Sequence, residues 1–201
     1  MFYFLVKTIS RIIFTLFFRA KIIGADKLPP SGAVILAANH MSNADPPFLG
    51  SFLCREVCYM AKIELFRNPV FGAAIRACHS FPVKRGTADR KAIKHALELL
   101  ADGKCLGLFP EGTRSKTGEM QEAELGVGLF AAKSKAPVVP AAIIGTDKIF
   151  SPACRFPKLK LVLGEPMYYE GNPKDKTAMA EFSQAVAAHI AKLKAEHEND
   201  D

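Results

Sequence analysis

A histidine and an aspartate stand five positions apart in residues 39–46, as His40 and Asp45. The apolar run 33–38 precedes them and predicts a buried parallel strand, which places His40 at the strand's carboxyl end, where α/β sheets carry their chemistry. The following Pro46-Pro47 indicates a helix with Asp45 as its N-cap. A tight turn there lets Asp45 hold one ring nitrogen while the other accepts a proton from a substrate hydroxyl. A capping aspartate beside an ordinary surface histidine is the alternative.

A second polar stretch follows the apolar run 105–109, which also predicts a buried strand. Its glycine permits a tight turn with exposed amides, its hydroxyls can donate hydrogen bonds, and its arginine offers a planar fork suited to phosphate. Its glutamate can orient that arginine or bind a glycerol hydroxyl. The alternative is a plain surface turn. The candidate residues are Glu111, Gly112, Thr113, Arg114 and Ser115.

These two stretches, in this order and spacing, resemble the first and third motifs of the 1-acylglycerol-3-phosphate acyltransferases. The resemblance covers roughly residues 26–168 and extends to a second motif at 81–86, where it implies that Arg85 contacts the acceptor phosphate. It also makes Lys62 a candidate cation near the reacting carbonyl; by sequence alone, a solvated lysine is the commoner case. His79 stands where the family usually has glycine, so the local backbone is the point of departure.

The resemblance implies transfer of an acyl chain from acyl-CoA or acyl carrier protein to the 2-hydroxyl of lysophosphatidic acid, forming phosphatidic acid. It requires no metal and no further cofactor. Other acceptors remain open, namely another lysophospholipid, glycerol 3-phosphate or a lyso-ornithine lipid. A non-catalytic protein that binds anionic lipids at a membrane surface is the alternative from another class.

The composition narrows the range of partners. A net charge of +7 suits anionic membranes or phosphorylated substrates, and because the sequence has no arginine-rich arm or aromatic-basic motif, we expect no nucleic acid. Five cysteines, an odd number placed mostly in apolar runs, predict reduced and buried thiols. No CxxC pair or nearby histidine pair completes a zinc site, so we expect none. No GK[ST] sequence marks a P-loop.

Residues 1–19 are apolar and aromatic except for Lys7, Arg11, Arg19 and a few hydroxyls. A spanning helix would hold Lys7 and Arg11 inside the bilayer at roughly 2.5–3.5 kcal/mol each, and the pattern of a secretory signal does not fit. We expect an amphipathic anchor in the membrane plane, with its charges toward lipid phosphates and its phenyl rings in the acyl boundary. The alternative is a helix that covers the sheet. The anchor predicts a peripheral or monotopic protein at the cytoplasmic face of the cell membrane.

The remaining pattern predicts one α/β domain with a largely parallel or mixed sheet flanked by helices. We divide the chain into an anchor (1–19), an acyltransferase domain (20–196) and a polar tail (197–201). Strands that end near residues 38, 84 and 109 deliver the candidate residues to one edge. Helices are expected at 46–54, 68–78, 122–135 and 176–196, and after a cap at Thr87; further strands are expected at 21–23, 57–61, 137–145 and 159–163.

Overall fold

The computed structural model describes residues 1–84, 86, 89–115, 119–149, 151 and 156–198. Seven strands form one sheet: β1 (Lys21–Ile23), β2 (Val34–Ala38), β3 (Val57–Lys62), β4 (Ser80–Val83), β5 (Cys105–Leu108), β6 (Val138–Ile144) and β7 (Lys160–Leu163). The helices are α1 (Phe2–Phe18), α2 (Asp45–Phe52), α3 (Pro69–Ala77), α4 (Arg90–Ala101), α5 (Gly126–Ser134) and α6 (Lys176–His197).

The strand order is β1-β7-β6-β2-β5-β3-β4, with β2 at the centre. Strands β2 to β6 run parallel to one another, whereas β7 is antiparallel to β6 and carries β1 with it. The central strands are buried along their whole length because helices cover both faces, as continuous apolar runs predict. The predicted mixed α/β sheet is therefore confirmed.

Helices divide between the two faces of the sheet. On one face, α1 and α2 bury phenylalanines such as Phe14 and Phe48 against β2, β5 and β6. On the other, α4, α5 and α6 bury residues such as Leu100, Phe130 and Ile190. The parallel strands β2, β5, β3 and β4 all end at the same edge, and this is the edge where the candidate residues lie.

Some predicted helix boundaries are corrected by local hydrogen bonding. Asp45 is the first residue of α2, with Ala44 at the N-cap position, so Asp45 does not cap the helix. Helix α4 begins after Asp89, whose carboxylate accepts from the backbone of Ala92, while the predicted cap Thr87 lies outside the described residues. Helix α5 begins only at Gly126, not at residue 122.

Gly128 and His79 are unusual residue types for their positions, a helix interior and a left-handed turn. Gly128 lies against the backbone of Met179 in α6, and a Cβ there would collide with the Met179 carbonyl. His79 adopts φ 61°, a left-handed conformation that glycine reaches without strain. The His79 Nε2 atom lies 3.3 Å from the Glu56 carboxylate.

Helix α1 packs on the domain through the face that carries Tyr3, Phe14 and Phe18. The predicted outward direction is wrong for Lys7, whose half-buried ammonium donates to the Leu53 carbonyl at 2.6 Å. Arg11 is exposed, and its guanidinium lies 5.8 Å from the Phe52 ring centroid. The outward face is apolar instead, with Leu16 70% exposed; it also includes Leu5, Ile9 and Ile12. No helix in the described part of the chain is long and apolar enough to cross a membrane.

The cysteines are unpaired among the residues described, but they are not uniformly buried. Cys58 and Cys105 are buried, Cys78 is intermediate and Cys54 is exposed, which corrects the expectation for Cys54. Burial raises the pKa of the Cys105 thiol to about 12. Cys105 is therefore held as an unreactive thiol inside the sheet.

Candidate active site

His40 and Asp45 meet at the carboxyl end of β2. The Nδ1 atom of His40 lies 2.8 Å from the Asp45 Oδ2 atom. Both side chains are shielded from solvent: the Asp45 side chain is fully buried, and the His40 side chain is 11% exposed. The chain makes this contact because β2 ends at Ala38 and α2 starts with Asp45, so a short loop folds the carboxylate back over the histidine. The predicted contact between the two side chains is present.

Four donors converge on the Asp45 carboxylate. Besides His40 Nδ1, the backbone amides of Met41 and Ser42 each donate to Oδ2 at 2.7 Å. The Thr146 hydroxyl donates to Oδ1 at 2.5 Å, and Thr146 is fully buried. These bonds fix the carboxylate in one orientation, and they replace the water that a buried charge needs.

This arrangement settles which ring nitrogen of His40 is available. Because Oδ2 of Asp45 already accepts from two backbone amides, it acts as the acceptor for His40 as well, so Nδ1 carries the hydrogen and Nε2 has the lone pair. Nε2 can therefore accept a proton from a bound hydroxyl. The histidine–aspartate pair has the geometry of a general base whose partner orients it.

Aromatic rings hold the imidazole from the side. The His40 ring stacks on Phe109 with centroids 4.1 Å apart and planes 20° apart. Phe109 in turn lies parallel to the Tyr59 ring at 6.3 Å. The Tyr59 hydroxyl donates to the Pro46 carbonyl at 3.1 Å, and burial raises the pKa of this phenol well above its usual value. Tyr59 is thus an uncharged support for α2 and the ring stack.

Glu111 positions the histidine backbone. Its Oε1 atom accepts from the His40 amide at 2.9 Å, and its Oε2 atom accepts from the Gln121 amide at 3.1 Å. The Ser115 amide completes the link by donating to the His40 carbonyl at 2.8 Å. The expectation that Glu111 orients Arg114 is corrected, because the buried carboxylate joins the ends of β2 and β5 instead.

The turn after Glu111 presents its polar side chains outward. Gly112 has φ 64° and lies against the Glu124 carboxylate, where a Cβ would collide. Thr113 and Arg114 are exposed, whereas Ser115 is buried. Arg114 is thus brought to the same edge as His40, two residues beyond a turn that only glycine forms without strain.

The two remaining candidate residues are Lys62 and Arg85, and the structure describes only Lys62. Lys62 is exposed and ends β3, which lies two strands from β2, or roughly 10 Å at the usual strand spacing. A lysine stem can cover much of that distance. Arg85, two positions after the last residue of β4 in the sequence, lies outside the described residues.

Two functional neighbours were missed by sequence reasoning. Thr146 is distant from Asp45 in the chain and reaches it only because β6 pairs with β2. Phe109 was predicted as the last residue of a buried strand and the first of the third motif, with no role of its own. Its place beside His40 follows from the register of β5 on β2. The strand-end position of Thr146, directly after the buried run of β6, is the one signal that could have marked it. Among the described residues, no cluster of histidine, cysteine or carboxylate groups could hold a metal ion.

Comparison with known proteins bears directly on this site. The family model "Acyltransferase" matches residues 19–144, which include both motifs. The 1-acyl-sn-glycerol-3-phosphate acyltransferase of Bacillus subtilis is 32% identical over 179 residues, covering 86% of this chain and 87% of that protein. The chloroplastic 1-acyl-sn-glycerol-3-phosphate acyltransferase BAT2 of Brassica napus is 35% identical over 136 residues, which are 66% of this chain and 39% of the longer plant protein.

A solved structure shows the same fold. The 1-acyl-sn-glycerophosphate acyltransferase PlsC of Thermotoga maritima superposes with a TM-score of 0.76 at 26% identity. The match covers 96% of this chain and 80% of that one, so it includes the helices as well as the sheet.

Proposed function

Because this chain belongs to the 1-acyl-sn-glycerol-3-phosphate acyltransferase family of O-acyltransferases, we propose that it moves an acyl chain from acyl-CoA or acyl carrier protein to the 2-hydroxyl of 1-acylglycerol 3-phosphate. The product is phosphatidic acid, an intermediate of phospholipid synthesis. The observation that carries this proposal is the buried contact of His40 Nδ1 with the fourfold hydrogen-bonded Asp45 at the strand end.

In the proposed reaction, His40 Nε2 removes the proton from the acceptor hydroxyl as its oxygen attacks the thioester carbonyl. Asp45 keeps the imidazole in place and stabilises the imidazolium that forms. The tetrahedral oxyanion is stabilised by Lys62 or by backbone amides. When the carbon–sulfur bond breaks, His40 returns the proton to the leaving thiolate. The acyl chain passes directly to the acceptor, so no serine or cysteine of the protein is acylated.

The acceptor phosphate is assigned to Arg85 and Arg114, with help from the hydroxyls of Thr113 and Ser115. Gly112 is assigned to shaping the turn, because its own amide donates to the Phe109 carbonyl at 3.0 Å. Exposure of Arg114 at the His40 edge supports this assignment, since a guanidinium must be accessible to clamp a phosphate. Glu111 is assigned a positioning role, because both of its oxygens bind backbone amides. The reaction needs no metal and no cofactor beyond the acyl thioester.

We place the protein at the cytoplasmic face of the cell membrane as a peripheral or monotopic enzyme. The apolar outward face of α1 and the net charge of +7 support this location, since an interfacial helix buries its apolar face while basic groups attract anionic lipids. The acceptor is itself a lipid, so the site has to reach the interface where it resides.

The test of the reaction is release of thiol from acyl-CoA or acyl carrier protein in the presence of 1-acylglycerol 3-phosphate, with phosphatidic acid detected by mass spectrometry. A blank without acceptor corrects for the exposed Cys54 of the protein. Acceptor-dependent thiol release with matching product supports the proposal. Binding to anionic vesicles without turnover on either donor overturns it in favour of a lipid-binding role, and preference for glycerol 3-phosphate would assign another acceptor.

The phosphate assignment is tested by Arg114→Lys, because lysine keeps the charge but loses the planar fork. We expect kcat/KM for 1-acylglycerol 3-phosphate to fall by about 10- to 150-fold, which corresponds to 1.5–3 kcal/mol for hydrogen bonds to a charged group. Monoacylglycerol, which lacks the phosphate, should be affected much less. Arg90→Lys, an exposed arginine on α4, is the matched control. Equal losses on both acceptors would make Arg114 a structural residue.

A further inference from the structure

The segment of residues 62–77, which comprises the end of β3, a 3-10 turn (Ile63–Phe66) and α3, turns apolar side chains to solvent. Val70 is 79% exposed, Phe71 50% and Leu65 43%. Within α3, Gly72 is the one buried residue. We refer to this segment as the α3 segment. Val70 and Phe71 are consecutive residues in the first turn of α3, and Leu65 lies in the 3-10 turn before it.

Burial of apolar side chains is not what holds α3 in place. The helix is started by Asn68, whose side chain accepts from the Phe71 amide at 3.0 Å. It is held by Gly72, where a Cβ would lie 3.1 Å from the Phe66 backbone, and by the Arg76 guanidinium 4.7 Å from the Phe66 ring centroid. Val70 and Phe71 contribute little to this packing, so their apolar surface is available for another contact.

The α3 segment lies on the same face of the sheet as α1. The steps from β2 to β3 and from β3 to β4 move in one direction along the sheet, so right-handed crossovers put α2 and α3 on a common face. Helix α1 packs on α2 and brings its Tyr3 ring to 4.9 Å from His79, just after α3. The apolar outward surfaces of α1 and α3 therefore face the same side of the molecule.

The charged residues of the α3 segment indicate which kind of partner fits its apolar surface. The α3 segment carries Lys62, Arg67 and Arg76 against a single acidic residue, Glu64. Exposed apolar side chains flanked by basic ones match a membrane interface with anionic lipids, where the apolar groups enter the acyl boundary and the cations meet the phosphates. A protein partner has no comparable feature in its favour here.

Resting on the proposed function, we propose that the α3 segment is a second membrane contact, which docks on an anionic lipid surface beside α1. The segment begins at the carboxyl end of β3, the sheet edge that carries His40. If α1 were the membrane contact by itself, the protein could still rotate about the axis of that helix. A second contact at the site's own edge prevents that rotation and sets His40 at the level of the lipid head groups.

The sequence contains no tryptophan, so the fluorescence of a single introduced tryptophan can be measured without background from other indoles. Val70→Trp probes the α3 segment, and Leu16→Trp probes α1. Lys94→Trp, on the opposite helical layer and 80% exposed, is the control. With vesicles of phosphatidylcholine and phosphatidylglycerol, we expect a blue shift and quenching by brominated acyl chains for Val70→Trp and Leu16→Trp, and neither for Lys94→Trp.

A second measurement uses charge. Val70→Glu with Phe71→Glu should lower the vesicle partition coefficient at least about tenfold, since two apolar side chains no longer enter the lipid. The thermal unfolding midpoint should stay close to that of the unsubstituted protein, because both side chains face solvent. Unchanged partitioning would overturn the second contact.

The outcomes separate this inference from the proposed function. An unshifted Val70→Trp beside a shifted Leu16→Trp overturns the α3 contact and leaves the α1 anchor standing. No shift at either position overturns membrane docking by this face altogether, while thiol release decides catalysis independently. A blue shift of Val70→Trp without vesicles overturns the lipid assignment in favour of a second copy of the chain.

Discussion

The sheet edge that carries His40 and the solvent-facing surface of α1 and α3 both depart from the usual distribution of polar and apolar groups. At the edge, Asp45 and Thr146 are fully buried and His40 is 8% exposed. On the surface, Leu16 is 70% and Val70 79% exposed. Proteins bury charge only when hydrogen bonds replace water, and they expose contiguous apolar surface mainly where a partner covers it. The buried Asp45 carboxylate is hydrogen-bonded within the molecule, whereas the exposed apolar side chains of α1 and α3 can be covered only by a binding partner.

The largest expected effect comes from removing the buried base. His40→Ala should lower turnover by about 10²- to 10⁴-fold, the usual contribution of a general base, because it removes the imidazole to which the proton transfer is assigned. Vesicle flotation should be unchanged, since the apolar surface is intact. The variant is compared with His95→Ala, a half-exposed histidine on α4. Near-normal turnover in folded His40→Ala protein would end the proposed mechanism.

Removing one donor from Asp45 should have a smaller effect at the same edge. Thr146→Val leaves a buried carboxylate oxygen without its hydroxyl and should lower the free energy of unfolding by about 1.5–3 kcal/mol. Turnover should fall less than in His40→Ala, because the imidazole keeps its bond to Oδ2.

Thr146→Ser is the matched control, since it returns the hydroxyl and removes only a methyl group. Denaturant unfolding and steady-state kinetics on both variants provide the measurement. Recovery of both stability and turnover in the serine variant is the expected result; a serine variant as impaired as valine would mean that the methyl packing matters and the hydrogen bond does not.

On the apolar surface, a charge should disturb binding and not chemistry. Ile12→Glu on the outward face of α1 should lower the vesicle partition coefficient about tenfold, since burial of one large apolar side chain contributes about 1.5–3 kcal/mol. Turnover on a dispersed short-chain acceptor should change little. Thr8→Glu, an exposed polar position on the same helix, controls for the added charge. Equal loss in both variants would show repulsion by anionic lipid and no apolar insertion.

The smallest expected effect concerns thiol labelling, which tests whether α1 stays packed on the sheet when lipid is present. Cys105 is buried, and its thiol pKa of about 12 means that the reactive thiolate forms only far above neutral pH. With N-ethylmaleimide from pH 7 to 9, we expect peptide mass spectrometry to find Cys54 labelled and Cys105 unlabelled, with or without vesicles. Rapid labelling of Cys105 on vesicles would mean that α1 leaves the sheet to bind lipid.

Local sequence determined most of the elements and the pairing of His40 with Asp45. Runs such as those of β2, β5 and β6 are apolar throughout, and only a strand buried on both faces fits them. The five-residue spacing of His40 and Asp45 closes within one loop, so no distant partner is needed. The start of α5 was missed because residues 122–125 have no strong breaker before Gly126.

Tertiary structure alone decided the partners that come from distant strands. Thr146 reaches Asp45, and Glu111 reaches the His40 backbone, only through the pairing of β6 and β5 with β2, which residue type does not encode locally. The orientation of α1 was also a tertiary decision. Its sequence carries apolar residues on most sides, so helical periodicity could not choose the packed face. Contacts of Lys7 with Leu53 and of Phe14 with Phe48 fixed the face that packs on the domain, which left Leu16 and its apolar neighbours exposed.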